Sequence, residues 1–85
     1  MELVLTRAAQ RRLGQMNPKM RAALIERLEA IAEQPFAVHR NVERLKGDQD
    51  VFRLRQGDWR ALYRIDREAS EMRVLAVEPR GSVYR

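Results

Sequence analysis

Residues 51–65 read Val51-Phe52-Arg53-Leu54-Arg55-Gln56-Gly57-Asp58-Trp59-Arg60-Ala61-Leu62-Tyr63-Arg64-Ile65, and this stretch decides the fold. Apolar and polar residues alternate on both sides of Gly57-Asp58, the pattern of two strands joined by a two-residue turn. In such a hairpin the turn length fixes the register. Gln56 then faces Trp59, Arg55 faces Arg60, Leu54 faces Ala61 and Phe52 faces Tyr63. One face of the hairpin gathers Phe52, Leu54, Ala61, Tyr63 and Ile65 and can receive helices. Arg53, Arg55, Arg60 and Arg64 share the other.

Downstream, Asp66–Glu71 is polar, Met72–Val77 reads as a last strand, and Pro79 and Gly81 break the ladder. Upstream, Phe36–Asp50 has no clean period and contains Lys46-Gly47-Asp48, so it reads as a loop. Before it lies a helix that starts at Asn17-Pro18, where asparagine caps and proline at the first position loses no hydrogen bond. Met20, Leu24, Leu28 and Ile31 form its apolar stripe, Ile25 and Ala32 widen it, and Pro35 stops it after about Gln34. Thr6 is placed to cap an earlier helix, Arg7–Met16, with Ala9, Leu13 and Met16 on one side. Met1–Leu5 reads as a first strand. The whole is an α+β fold, β-α-α-β-β-β, with a helical hairpin packed on one face of a small, mainly antiparallel four-stranded sheet. Leu24, Leu28, Ile31, Phe52, Leu54 and Tyr63 are its expected core.

Eighty-five residues make one domain, 1–85, with room for one core. Seventeen basic residues against twelve acidic give a net charge of +5, and fifteen of the seventeen are arginine, a balance that suits a polyanionic partner and equally a small domain kept soluble by its charge. Cysteine is absent, which excludes disulfides, thiolate zinc sites and thiol nucleophiles. No apolar run approaches the length of a membrane span or a secretory signal, so the expected location is cytoplasmic, with no membrane partner. No carboxylate pair or histidine cluster has metal-ligand spacing, so neither a metal nor another cofactor is expected. His39 is alone in its loop and reads as a surface or packing residue.

Arg55 and Arg60 would oppose each other directly, an arrangement that destabilises a sheet unless an anion sits between them. Leu62, Leu75 and Val77 are expected on the same face, making it half apolar and half cationic. Such a face suits bases beside phosphates, or an amphipathic peptide. It would equally serve as the solvated outer side of an open sheet.

The chain resembles the RelE branch of the RelE/ParE toxin superfamily, the toxin halves of bacterial toxin–antitoxin pairs. The resemblance is carried by Leu45-Lys46-Gly47, by Phe52 through Tyr63, and by Pro79-Arg80-Gly81-Ser82-Val83-Tyr84, in that order. It implies a messenger-RNA endonuclease acting on the ribosome and silenced by a cognate antitoxin protein. It also implies that Arg60, Arg80 and Tyr84 occupy catalytic positions, while Arg53 and Arg55, with Lys46, bind phosphate. Arg53 and Arg55 match basic positions that are more often lysine in the best-known member. Arginine keeps the charge but cannot give up its proton.

Metal-free RNA cleavage can use the 2′-hydroxyl as nucleophile. It needs a base, cations around the phosphorane and a proton for the leaving oxygen. Tyr84 is the best titratable candidate, Arg60 with Arg53 and Arg55 can hold the phosphate, and Arg80 can stabilise the scissile or leaving group. The alternatives are a ParE-like inhibitor of DNA gyrase and a non-enzymatic RNA- or ribosome-binding module.

Overall fold

The computed structural model describes residues 1–47 and 50–80. The chain runs β1 (Glu2–Leu5), α1 (Arg7–Gly14), α2 (Pro18–Glu33), β2 (Val42–Arg44), β3 (Val51–Gln56), β4 (Trp59–Asp66) and β5 (Glu71–Pro79). Both helix starts follow from local chemistry. The Thr6 hydroxyl accepts from the Ala9 amide at 3.3 Å, and Asn17 Oδ1 accepts from the Lys19 amide at 2.9 Å, with Pro18 at the first helical position.

The central hairpin has the expected register, with Arg55 opposite Arg60, Leu54 opposite Ala61 and Phe52 opposite Tyr63. Gly57 turns it with a positive φ of 59°, which glycine adopts at no steric cost in the first position of a type II′ turn. Leu54, Ala61, Tyr63 and Ile65 are buried against Leu24, Leu28 and Ile31 of α2 and Ala9 and Leu13 of α1. Phe52 is only partly buried at the margin of this core, stacked on Tyr63 with ring centroids 5.3 Å apart.

Two expectations are corrected. The sheet has five strands, in the order β1-β5-β4-β3-β2, not four. The extra strand, Val42–Arg44, pairs antiparallel with β3 inside the segment expected to be a loop. Three residues are too few to show an alternating pattern, and its ends are pinned by bonds outside the ladder. The Arg55 amide donates to the Asn41 carbonyl at 2.9 Å, and the Leu45 amide to the Val51 carbonyl at 2.8 Å. The sheet remains mainly antiparallel, with β1 against β5 the parallel pair.

Val77 is the second correction: it is fully buried opposite Ala61 and does not join the cationic face. Leu62 pairs with Ala76 while Tyr63 pairs with Val74, so Leu75 is skipped in the β4–β5 register and the alternation of β5 slips by one residue. Thr6 holds this bulge. Its hydroxyl, besides capping α1, donates to the Val74 carbonyl at 2.8 Å.

Candidate active site

The hairpin register brings three arginines together at its turn end. Arg53, Arg55 and Arg60 line a cleft of about 230 Å³ with Asn41, Val42 and Glu43 from β2 and the residue before it. Arg55 and Arg60 are direct cross-strand partners, a like-charge contact that the sheet must offset elsewhere. The Arg60 guanidinium is fixed by its own turn, donating to the Gly57 carbonyl at 3.2 Å and the Trp59 carbonyl at 3.0 Å. Arg55 reaches toward Asn41 Oδ1 at 3.5 Å, and Arg53 pairs with Glu43.

Arg80 joins from the end of β5. Its amide donates to the Asp58 carbonyl at 2.7 Å, which ties the chain after Pro79 to the hairpin turn. Desolvation first, and then Arg55, Arg80 and Arg53, push the Arg60 guanidinium below the ordinary arginine range, and Asp58 partly offsets them. Arginine still keeps its proton near neutrality, so the field at the cleft is strongly positive. Glu78 lies opposite Arg60 on β5 but does not cancel it. Instead Glu78 is engaged by Arg12 of α1 at 2.8 Å.

The remaining expected residues fall elsewhere. Arg64 shares the outer face but lies four residues along β4, opposite Arg73, and does not line the cleft. Lys46 is exposed in the turn after β2, at the opposite end of that strand from Asn41. Tyr84 lies outside the described residues. Tyr63, by contrast, is buried in the core, where desolvation pushes its phenol up to about 12. Asn41 and Glu43 also line the cleft, and no sequence pattern marks them, because they sit beside and on a strand too short to alternate. The one local signal was Asn41 itself, which takes a positive φ of 62°, a conformation asparagine tolerates better than most residues.

A second, apolar notch of about 110 Å³ opens between the helices and the hairpin turn, lined by Met16, Met20, Ala23, Leu24, Gln56, Gly57 and Trp59. Met20 is 42% exposed there, so the helical stripe is not wholly covered by the sheet. Among the described residues no group of three histidines or carboxylates could hold a metal ion. None of the described helices is long and apolar enough to cross a membrane.

Residues 3–84 match the family model described as the ParE toxin of the type II toxin–antitoxin system parDE. Toxin RelG of Mycobacterium tuberculosis is 34% identical over 82 residues, spanning 94% of this chain and 91% of RelG. In the solved toxin–antitoxin complex RelBE2 of the same organism, one chain superposes with a TM-score of 0.76 at 30% identity, over 93% of this chain and 96% of that one. The isolated Escherichia coli RelE toxin superposes with a TM-score of 0.80 at 22% identity, over 98% of this chain and 89% of that one. At that identity the last comparison speaks for the fold.

Proposed function

The chain belongs to the RelE/ParE superfamily of type II toxin–antitoxin toxins, and from that premise we propose that it is a messenger-RNA endonuclease that cuts on the ribosome by 2′-hydroxyl attack, without a metal. The observation that carries this reading is the opposed pair Arg55 and Arg60, with Arg53 beside them in one cleft and Arg80 tied alongside. A sheet bears such a cluster at a cost, and a bound phosphate repays it.

In this mechanism Arg53 and Arg55 bind the backbone phosphate. Arg60 neutralises the phosphorane as charge builds on its oxygens, and Arg80 stabilises the leaving 5′-oxygen. Tyr84 is the proton-transfer group. Arginines alone make a weak catalyst, so the ribosome supplies the alignment of the 2′-hydroxyl with the leaving oxygen. In the cell a cognate antitoxin silences the toxin, as the solved relatives in complex with RelB suggest. An acidic, aliphatic segment fits the arginine face, and the apolar notch around Met20 and Trp59 offers a second anchor.

Toeprinting on programmed ribosomes tests the proposal: a cut in the A-site codon leaving a 2′,3′-cyclic or 3′-phosphate end is expected. The matching family model is that of the ParE toxin, which keeps a second reading in play, the ParE-like inhibition of DNA gyrase. Loss of gyrase supercoiling with intact message would select it.

A further inference from the structure

We propose that Glu43 is the resident counter-anion of the arginine cleft, a positioning residue whose carboxylate holds Arg53 until a phosphate of the nucleic-acid substrate replaces it. The inference rests on the reading of this cleft as an RNA site. Glu43 lies on the edge strand β2 directly opposite Arg53, and its carboxylate pairs with the Arg53 guanidinium. Both residues line the cleft with Arg55 and Arg60.

The other charged groups nearby are accounted for differently. Arg60 donates to two main-chain carbonyls, and Arg55 reaches toward a side-chain amide oxygen, all neutral acceptors. Glu78, opposite Arg60, is engaged by Arg12 outside the cleft lining. Among the described lining residues Glu43 is therefore the one carboxylate set against three guanidinium groups.

Its exposure makes the pair exchangeable. The Glu43 side chain is 57% exposed and that of Arg53 28%. An ion pair this wet contributes little net stability, and a phosphate can match a guanidinium with two parallel charge-assisted hydrogen bonds. The exchange also confers selectivity. A free phosphate must displace Glu43 to gain Arg53, whereas an extended strand engages Arg55 and Arg60 at the same time and wins the competition. Glu43 thus discriminates at Arg53 between a small anion and a polyanion.

The test is binding of a single-stranded oligoribonucleotide, fully 2′-O-methylated so that it cannot be cut, followed by fluorescence anisotropy across a salt series. Glu43→Gln should bind roughly two- to fivefold more tightly than wild type. The slope of log affinity against log salt should steepen by up to about 0.7, because the Glu43 carboxylate freed in the wild-type complex takes up a cation that offsets one released from the strand. Glu43→Asp, which keeps the charge, should restore the wild-type slope. Unchanged or weaker binding by Glu43→Gln, with wild type binding normally, overturns the counter-anion role and leaves the RNA reading standing. A folded wild type that does not bind the oligonucleotide at all overturns both. If Glu43→Gln does not fold, the Glu43 carboxyl-carbon resonance of the wild type supplies the answer. It should move on adding the oligonucleotide, and an unmoved signal overturns the exchange.

Discussion

Arg55 and Arg60 face each other across the β3–β4 hairpin one residue pair in from its turn, and neither has a carboxylate opposite it on that ladder. Stability and function pull against each other at this pair. Arg60→Ala removes a cation from beside Arg55, Arg53 and Arg80, so the melting temperature should stay level or rise. Cleavage of message on the ribosome should fall by roughly 10²–10³-fold, the usual loss when a donor to transition-state charge is deleted. Thermal unfolding and single-turnover cleavage of the same preparation check both halves. A variant that loses stability and activity together would place Arg60 among the structural residues.

The core should respond oppositely. Leu28 is fully buried between the helical layer and the sheet. Leu28→Ala should cost about 2–5 kcal/mol in urea unfolding. For a small domain that is a large share of the total.

Acid should weaken the far end of the sheet through Asp50. Arg67 binds this carboxylate through two nitrogens, at 2.8 and 3.0 Å, and Arg44 adds a third contact at 3.2 Å. The Arg67 hydrogen bond, ahead of an opposing desolvation, holds the Asp50 carboxyl below its ordinary value. The native state therefore binds this proton more weakly than the unfolded chain. Its contribution is complete above the unfolded carboxylate value of about 3.9 and is lost as pH falls through the lower native value. Asp50→Asn keeps a residue that tolerates the positive φ of 60° found here. It should be less stable than wild type at pH 7 and indistinguishable from it in strong acid, as read from urea unfolding at each pH.

The strands with six or more residues were legible because a period of two declares itself over that length, and the Gly57-Asp58 turn then set which arginines share a face. What the pattern could not show was the three-residue strand Val42–Arg44, since its pairing depends on β3 and not on its own residues. Glu43 and Asn41 were hidden with it. The slip at Leu75 was equally invisible: a bulge changes the phase of β5 without changing its composition, and the Thr6 hydroxyl that holds it comes from the other end of the chain. Arg53, Arg55 and Arg60 were found from alternation alone, and their meeting in one cleft needed the edge strand as its wall.

The two tyrosines should separate cleanly. Tyr63 lies in the core with its phenol pushed up to about 12 by burial, so it cannot exchange a proton with substrate near neutrality. Tyr63→Phe should cleave message at the wild-type rate. Tyr84→Phe should slow the chemical step while leaving ribosome binding in place, if Tyr84 is the proton-transfer group as proposed. A wild-type rate for Tyr84→Phe would transfer that role to another group.

The antitoxin offers the last test, because the same arginine face must be read by two partners. An acidic segment approaching Arg53, Arg55 and Arg60 is steered by their field, and a surface charge acts mainly on the rate of encounter. The Arg53→Ala, Arg55→Ala double variant should therefore bind the purified antitoxin with association slowed by roughly tenfold at low salt. The difference from wild type should shrink as salt screens the face. Met20→Ala, in the apolar notch on the other side of the sheet, should instead speed dissociation and be insensitive to salt. Stopped-flow association and dissociation rates for the two variants distinguish the surfaces. Wild-type rates for the double arginine variant would place the antitoxin away from the cleft, and inhibition would then act by keeping the toxin off the ribosome.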